Sequence, residues 1–175
     1  MALTLSGTSG VLDNSGAFIA GTAVASTSGT SIDFTSIPSW VKRVTVMLSG
    51  VSTSSTSNLL LQIGNTSIVT TGYDSAAYSS NSANTASTAG FLLTAGNVVA
   101  SCVYSGSIVL ALTNSSTNLW VSSGVLTQST VPASNGSGNV AAGNKALSGI
   151  LDRVRITTVN GTDTFDAGSI NILYE

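Results

Sequence analysis

The sequence has no histidine, and that absence removes the imidazole base, the imidazole metal ligand and any triad built on them. A single cysteine, Cys102, excludes an internal disulfide and a thiolate zinc site, and its apolar neighbour Val103 marks it as a small buried hydrophobe. Charge is equally scarce. Lys, Arg, Asp and Glu make up 7% of the chain, against about 25% in an ordinary soluble domain, and the one Glu is Glu175. A net charge of −2 and a pI near 4.7 give no electrostatic footprint for nucleic acid. Three of the five cations are Lys145, Arg153 and Arg155, with Asp152 already among them. No apolar run approaches the roughly 18 residues that would span a bilayer, so membrane insertion is not expected. The opening MALTLSGTSG lacks the basic and apolar regions of a secretory signal, and export by that route is not expected either. Walker and G-x-G-x-x-G loops are missing, and no cofactor is implied.

Hydroxyls and amides fill the space that charge leaves. Ser and Thr number 54, and with 13 Asn and 18 Gly they form nearly half the chain. An apolar fraction of 42%, arranged in alternating runs, separates this composition from a disordered one. No segment sustains the i, i+3, i+4, i+7 pattern of a helix, whereas period-2 alternation is frequent. In VKRVTVML, Val44, Val46 and Leu48 share one face while Arg43, Thr45 and Met47 share the other. The run LLLQI at 59–63 reads as a compact strand, and 18–25, 31–34, 67–71, 91–94, 107–113 and 119–126 are further candidates. Asn114-Ser-Ser-Thr117 is a hairpin turn, and Pro38 forbids a central strand at 36–40. The last 25 residues read as strand, Asn160-Gly161 turn and strand, which implies that the chain ends inside a closed sheet.

About nine to eleven short strands at intervals of roughly ten residues describe an all-β protein, an antiparallel β-sandwich of jelly-roll-like type. One domain is expected over 17–175, preceded by an arm at 1–16 that could dock on a neighbouring subunit. Two stretches without periodicity, 73–89 and 127–144, read as long loops, where function usually concentrates.

Few side chains can carry chemistry. Asp163 and Asp166 could form a glycosidase pair or, with further oxygens, hold Ca²⁺, but Asp beside a turn glycine more often caps local backbone groups. The reading is therefore non-enzymatic, with no catalytic residue and no metal ligand. Lys42, Arg43, Arg153 and Arg155 fit outward faces, with Asp33 or Asp152 as cross-strand partners that discourage wrong pairing, rather than a binding patch. Trp40, Trp120, Phe165 and Tyr174 fit core or subunit interface better than a sugar platform. Tyr73 and Tyr78 either pin their loop or stack on a sugar ring. With Asn81, Asn84 and Asn135 they are the candidate receptor or glycan contacts. Asn65, Asn114, Asn135 and Asn160 match N-x-[ST], as chance allows in so hydroxyl-rich a chain.

Two phrases carry a resemblance. GTSIDFTSIPSWVKRVTVMLSGVSTSSTSNLLLQIG (29–64) and LDRVRITTVNGTDTFDAGSINILYE (151–175) resemble modules in tail fibres and other surface proteins of tailed bacteriophages. The resemblance covers most of the chain from about residue 20 onward. It implies a virion structural protein, a tail-fibre or tail-knob component that takes part in host attachment, with a capsid decoration or head-fibre protein as the alternative. It also implies a homotrimer, partnership with other virion proteins, contact with a host surface glycan or receptor, and assembly in the host cytoplasm without a signal peptide.

Overall fold

The computed structural model describes residues 5–6, 10–11, 18–80, 84–96, 98–130 and 136–175. Every regular element among them is a strand. In chain order they are β1 (Leu5–Ser6), β2 (Gly10–Val11), β3 (Ile19–Ala20), β4 (Val24–Ala25), β5 (Ser31–Thr35), β6 (Arg43–Thr53), β7 (Leu59–Asn65) and β8 (Ser67–Ile68). Then come β9 (Asp74–Ser79), β10 (Thr85–Ser87), β11 (Phe91–Leu92), β12 (Cys102–Asn114), β13 (Leu119–Thr130), β14 (Ser137–Ala146), β15 (Arg153–Thr158) and β16 (Phe165–Tyr174). Several are far longer than the short strands expected, β12 reaching 13 residues. Of the 1–16 arm only β1 and β2 are described, paired with each other.

All ladders are antiparallel. A nine-stranded sheet runs β10-β9-β14-β13-β12-β6-β16-β3, with β4 also on β16, and a five-stranded sheet runs β11-β7-β15-β5, with β8 on β7. The two pack face to face as a β-sandwich. Val44, Val46 and Leu48 of β6, Ile108 and Leu110 of β12, and Ile170 and Ile172 of β16 meet Leu61 and Ile63 of β7 and Val154 and Ile156 of β15 in one buried cluster. Each such side chain contributes about 1.5–3 kcal/mol on burial. The β6 alternation is therefore the expected one. LLLQI is buried on both faces instead, because Leu60 points into a second small cluster with Ala77, Leu92, Ala95 and Ala141. There the β14–β9 end of the larger sheet curls over the edge strand β11.

The two stretches expected to be long loops are mostly strand. β9 and β10 form a hairpin within 73–89, and β13 and β14 occupy most of 127–144. Their periodicity is real but written in small and polar residues. β9 turns Ser75, Ala77 and Ser79 inward, and β14 turns Asn139 and Ala141 inward. Larger side chains would not fit: a Cβ on Gly143 of β14 would meet the Phe91 ring at 3.0 Å. The inward polar groups are bonded, with Asn139 Oδ1 accepting from the Ala95 amide at 3.0 Å and Ser75 Oγ from the Leu92 amide at 2.8 Å.

β16 bulges twice where it pairs with β6, between Phe165 and Ala167 and between Ala167 and Ser169. Gly168 sits there at φ 88° against the backbone of Gly50, itself at φ 65°. A side chain on Gly168 would collide with the Gly50 carbonyl.

Candidate functional site

Of the two carboxylates considered for catalysis, Asp163 acts as a structural cap. Asp163 is buried, accepting from the Ser57 amide at 3.0 Å and from Asn160 Nδ2 at 2.6 Å, so it ties the closing turn to the β6–β7 connection. Asp166 lies exposed on β16. Among the described residues no group of three His, Cys, Asp or Glu side chains could hold a metal ion.

Tyr73 is corrected from a ligand contact to a structural strut. It is 3% exposed, packs edge-on to Phe91 at 5.0 Å, and lies under Lys145 Nζ at 5.3 Å. Its hydroxyl accepts from the Ile63 amide at 2.8 Å and lies 2.9 Å and 3.1 Å from the carbonyls of Val69 and Ile63. Burial pushes its pKa up to about 12, partly offset by the Ile63 hydrogen bond. Pinning is the reading that holds for this ring.

Tyr78 faces the other way. It is 51% exposed on the outer face of the larger sheet. There it stands in register with Val140, which is in register with Val125, and both valines are 54% exposed. Met47 and Val109 continue this uncharged surface on β6 and β12. Asn84 joins Tyr78, Ala76, Val140 and Ala142 around a shallow open depression. Asn81 and Asn135 lie outside the described residues. Trp120 and Phe165 are core, each 1% exposed, while the Trp120 indole N–H has no partner among the described residues. Trp40 and Tyr174 are half-buried and tilted against each other at 6.0 Å, beside the point where Glu175 pairs with Arg43 at 2.9 Å.

The charged residues of β5 and β15 converge on the outer face of the smaller sheet. β15 lies between β5 and β7, so Arg155 stands in register with Asp33 on one side and Gln62 on the other. Its Nε and Nη2 donate to the two Asp33 oxygens, both at 2.7 Å. Two residues earlier, on the same face, Arg153 donates Nε to Asp152 Oδ1 at 2.7 Å and Nη2 to Oδ2 at 3.2 Å. The Thr66 amide, at a residue with φ 60°, donates to the same Asp152 carboxylate at 3.0 and 3.1 Å. These bonds, the Arg153 one first, hold the Asp152 carboxyl below its usual range.

Two hollows open above this row. One, of about 280 Å³, is lined by Asp33, Thr35, Ile68, Thr70, Arg153 and Arg155. The next, of about 330 Å³, adds Ser31, Gln62, Thr157 and Asn160 and shares Thr70 and Arg155 with the first, so the two join as one groove. The outward charges and the cross-strand Arg155–Asp33 pair were legible in the sequence, whereas Asp152 pairs with its chain neighbour Arg153 and not across strands. The groove was not, because its far wall comes from Ile68 and Thr70, beyond the β7–β8 turn.

Comparison with known proteins finds no matching family model, no matching curated protein and no matching solved structure.

Proposed function

We propose that this chain is a non-enzymatic structural protein of a bacteriophage virion, a tail-fibre or tail-knob component that takes part in host attachment as a homo-oligomer. One observation carries the reading. The two phrases that resemble phage surface modules are far apart in sequence but interleave in space: β15 lies between β5 and β7, and β16 pairs with β6. The resemblance thus follows strands that neighbour one another in the two sheets rather than scattered matches in a Ser/Thr-rich chain. The uncharged band of Tyr78, Val140, Val125 and Met47 supports assembly, since a copy of the same surface would meet it without like-charge repulsion. Attachment would then work by repetition, weak contacts per chain being multiplied on one particle.

The test is location. Antibody raised against the purified chain should label the tail tip of intact particles in electron micrographs, and the purified oligomer should bind host cells. Labelling at regular capsid positions would replace this reading with that of a capsid decoration or head-fibre protein. Absence from the virion would remove both.

A further inference from the structure

We propose that the groove on the outer face of the smaller sheet, running from Arg153 past Asp33 and Arg155 to Thr157, binds a neutral, polyhydroxylated ligand, a short bacterial surface oligosaccharide. The proposal rests on the attachment reading and gives it a site and a ligand class.

The argument begins with charge. Asp33 pairs with Arg155 inside the groove and Asp152 pairs with Arg153 from outside its lining, so neither guanidinium meets a polyanion unpaired. The groove nonetheless concentrates ionised donors and acceptors side by side. Each guanidinium uses only its Nε and Nη2 on its carboxylate, leaving the Nη1 edge as a donor. Each Asp33 oxygen accepts one bond from Arg155 and keeps further acceptor capacity. Gln62 donates its Nε2 to the Ala89 carbonyl at 2.9 Å, which fixes the amide and leaves its carbonyl oxygen as an acceptor.

Neighbouring fixed donors and acceptors are what vicinal sugar hydroxyls require, because every hydroxyl both gives and takes a hydrogen bond. Bonds to ionised partners are roughly twice as strong as neutral ones. The clamps also hold both arginines in place before a ligand arrives, which lowers the entropy cost of binding. Ile68 and Val159 supply apolar surface for the C–H faces of a sugar ring. Among the described residues no aromatic ring lines the groove, so the affinity of one site is low and the oligomer is needed for avidity.

The test uses the full-length chain, displayed as an oligomer on beads, against arrayed neutral and acidic bacterial oligosaccharides, with host-cell binding measured in parallel. Three variants are compared with the parent: Arg155→Ala, which removes the central donor; Thr70→Trp, which fills the groove but leaves both ion pairs intact; and Tyr78→Ala on the other sheet. Melting temperatures confirm that each folds. Neutral oligosaccharides should bind, with signal falling tenfold or more in Arg155→Ala and Thr70→Trp and staying within twofold in Tyr78→Ala. Binding that survives Thr70→Trp but is lost in Tyr78→Ala overturns the groove and leaves attachment standing. Binding of acidic sugars alone overturns the ligand class, and cell binding without any glycan binding overturns the site while sparing attachment. Loss of both readouts in the parent removes the proposal and the attachment reading together.

Discussion

Single side chains in this protein do structural work out of proportion to their number. The Tyr73 hydroxyl gathers the Ile63 amide and two carbonyls in a buried site. Tyr73→Phe takes the acceptor from the buried Ile63 amide, although the Ile63 carbonyl still accepts from the Val69 amide, and should cost about 1–3 kcal/mol, read from the denaturant midpoint. In the parent, phenolate absorbance at this ring should rise only near pH 12, well above the ordinary tyrosine value of 10.0. Asp152 sets a second expectation. Its folded pKa is depressed, so the clamp on Arg153 and Thr66 is complete above the ordinary value of 3.8 and is lost as pH falls through the lower folded value. A carboxyl-resolved NMR titration should place its midpoint below 3.8, and the Thr66 amide resonance should move with it. Sequence alone left Tyr73 and Tyr78 equivalent, two tyrosines in one apparent loop. Only the strand register decides between them, since Tyr78 lies on the outward face of β9 whereas Tyr73 precedes that strand and turns inward.

At the scale of elements, the legible strands were those that pack Val, Ile and Leu inward. β6, β7, β15 and β16 announce themselves by period-2 or continuous apolar runs. β9 and β14 do not, because the β11 edge lies so close that their inner positions are Ser, Ala, Asn and Gly, residues that hydrophobic periodicity does not register. Bulges were equally hidden, since they depend on two backbones meeting. Gly168 and Gly50 are such a meeting. Gly168→Ala places a Cβ against the Gly50 carbonyl at a positive φ. It should cost at least about 1–3 kcal/mol, visible as a lowered melting temperature, while Gly161→Ala, at positive φ but in open space, should cost less.

The whole molecule is asymmetric. One outer face, on the smaller sheet, is a polar groove with paired charges. The other, on the larger sheet, is broad and uncharged around Tyr78, Val140, Val125 and Met47. An assembly role for the second face predicts that Val125→Glu or Val140→Glu, both at half-exposed positions that a monomer tolerates, will lower the mass seen by light scattering without lowering the melting temperature of the monomer. An unchanged mass would move the contact elsewhere. The groove and the face point to opposite sides of the sandwich, so a chain can assemble through one while presenting the other.

The position of β15 and β16 also has a consequence in time. The ribosome delivers β5, β6 and β7 long before the strands that must lie beside them. Until residues 153–174 emerge, β5 and β7 have no shared neighbour, and β6 lacks the partner on its β16 side. Both sheets therefore close in one late event, across contacts of high sequence separation that make folding slow. The nascent chain carries the open edges of β5, β6 and β7 until then, and such edges are where an unfinished chain can capture another.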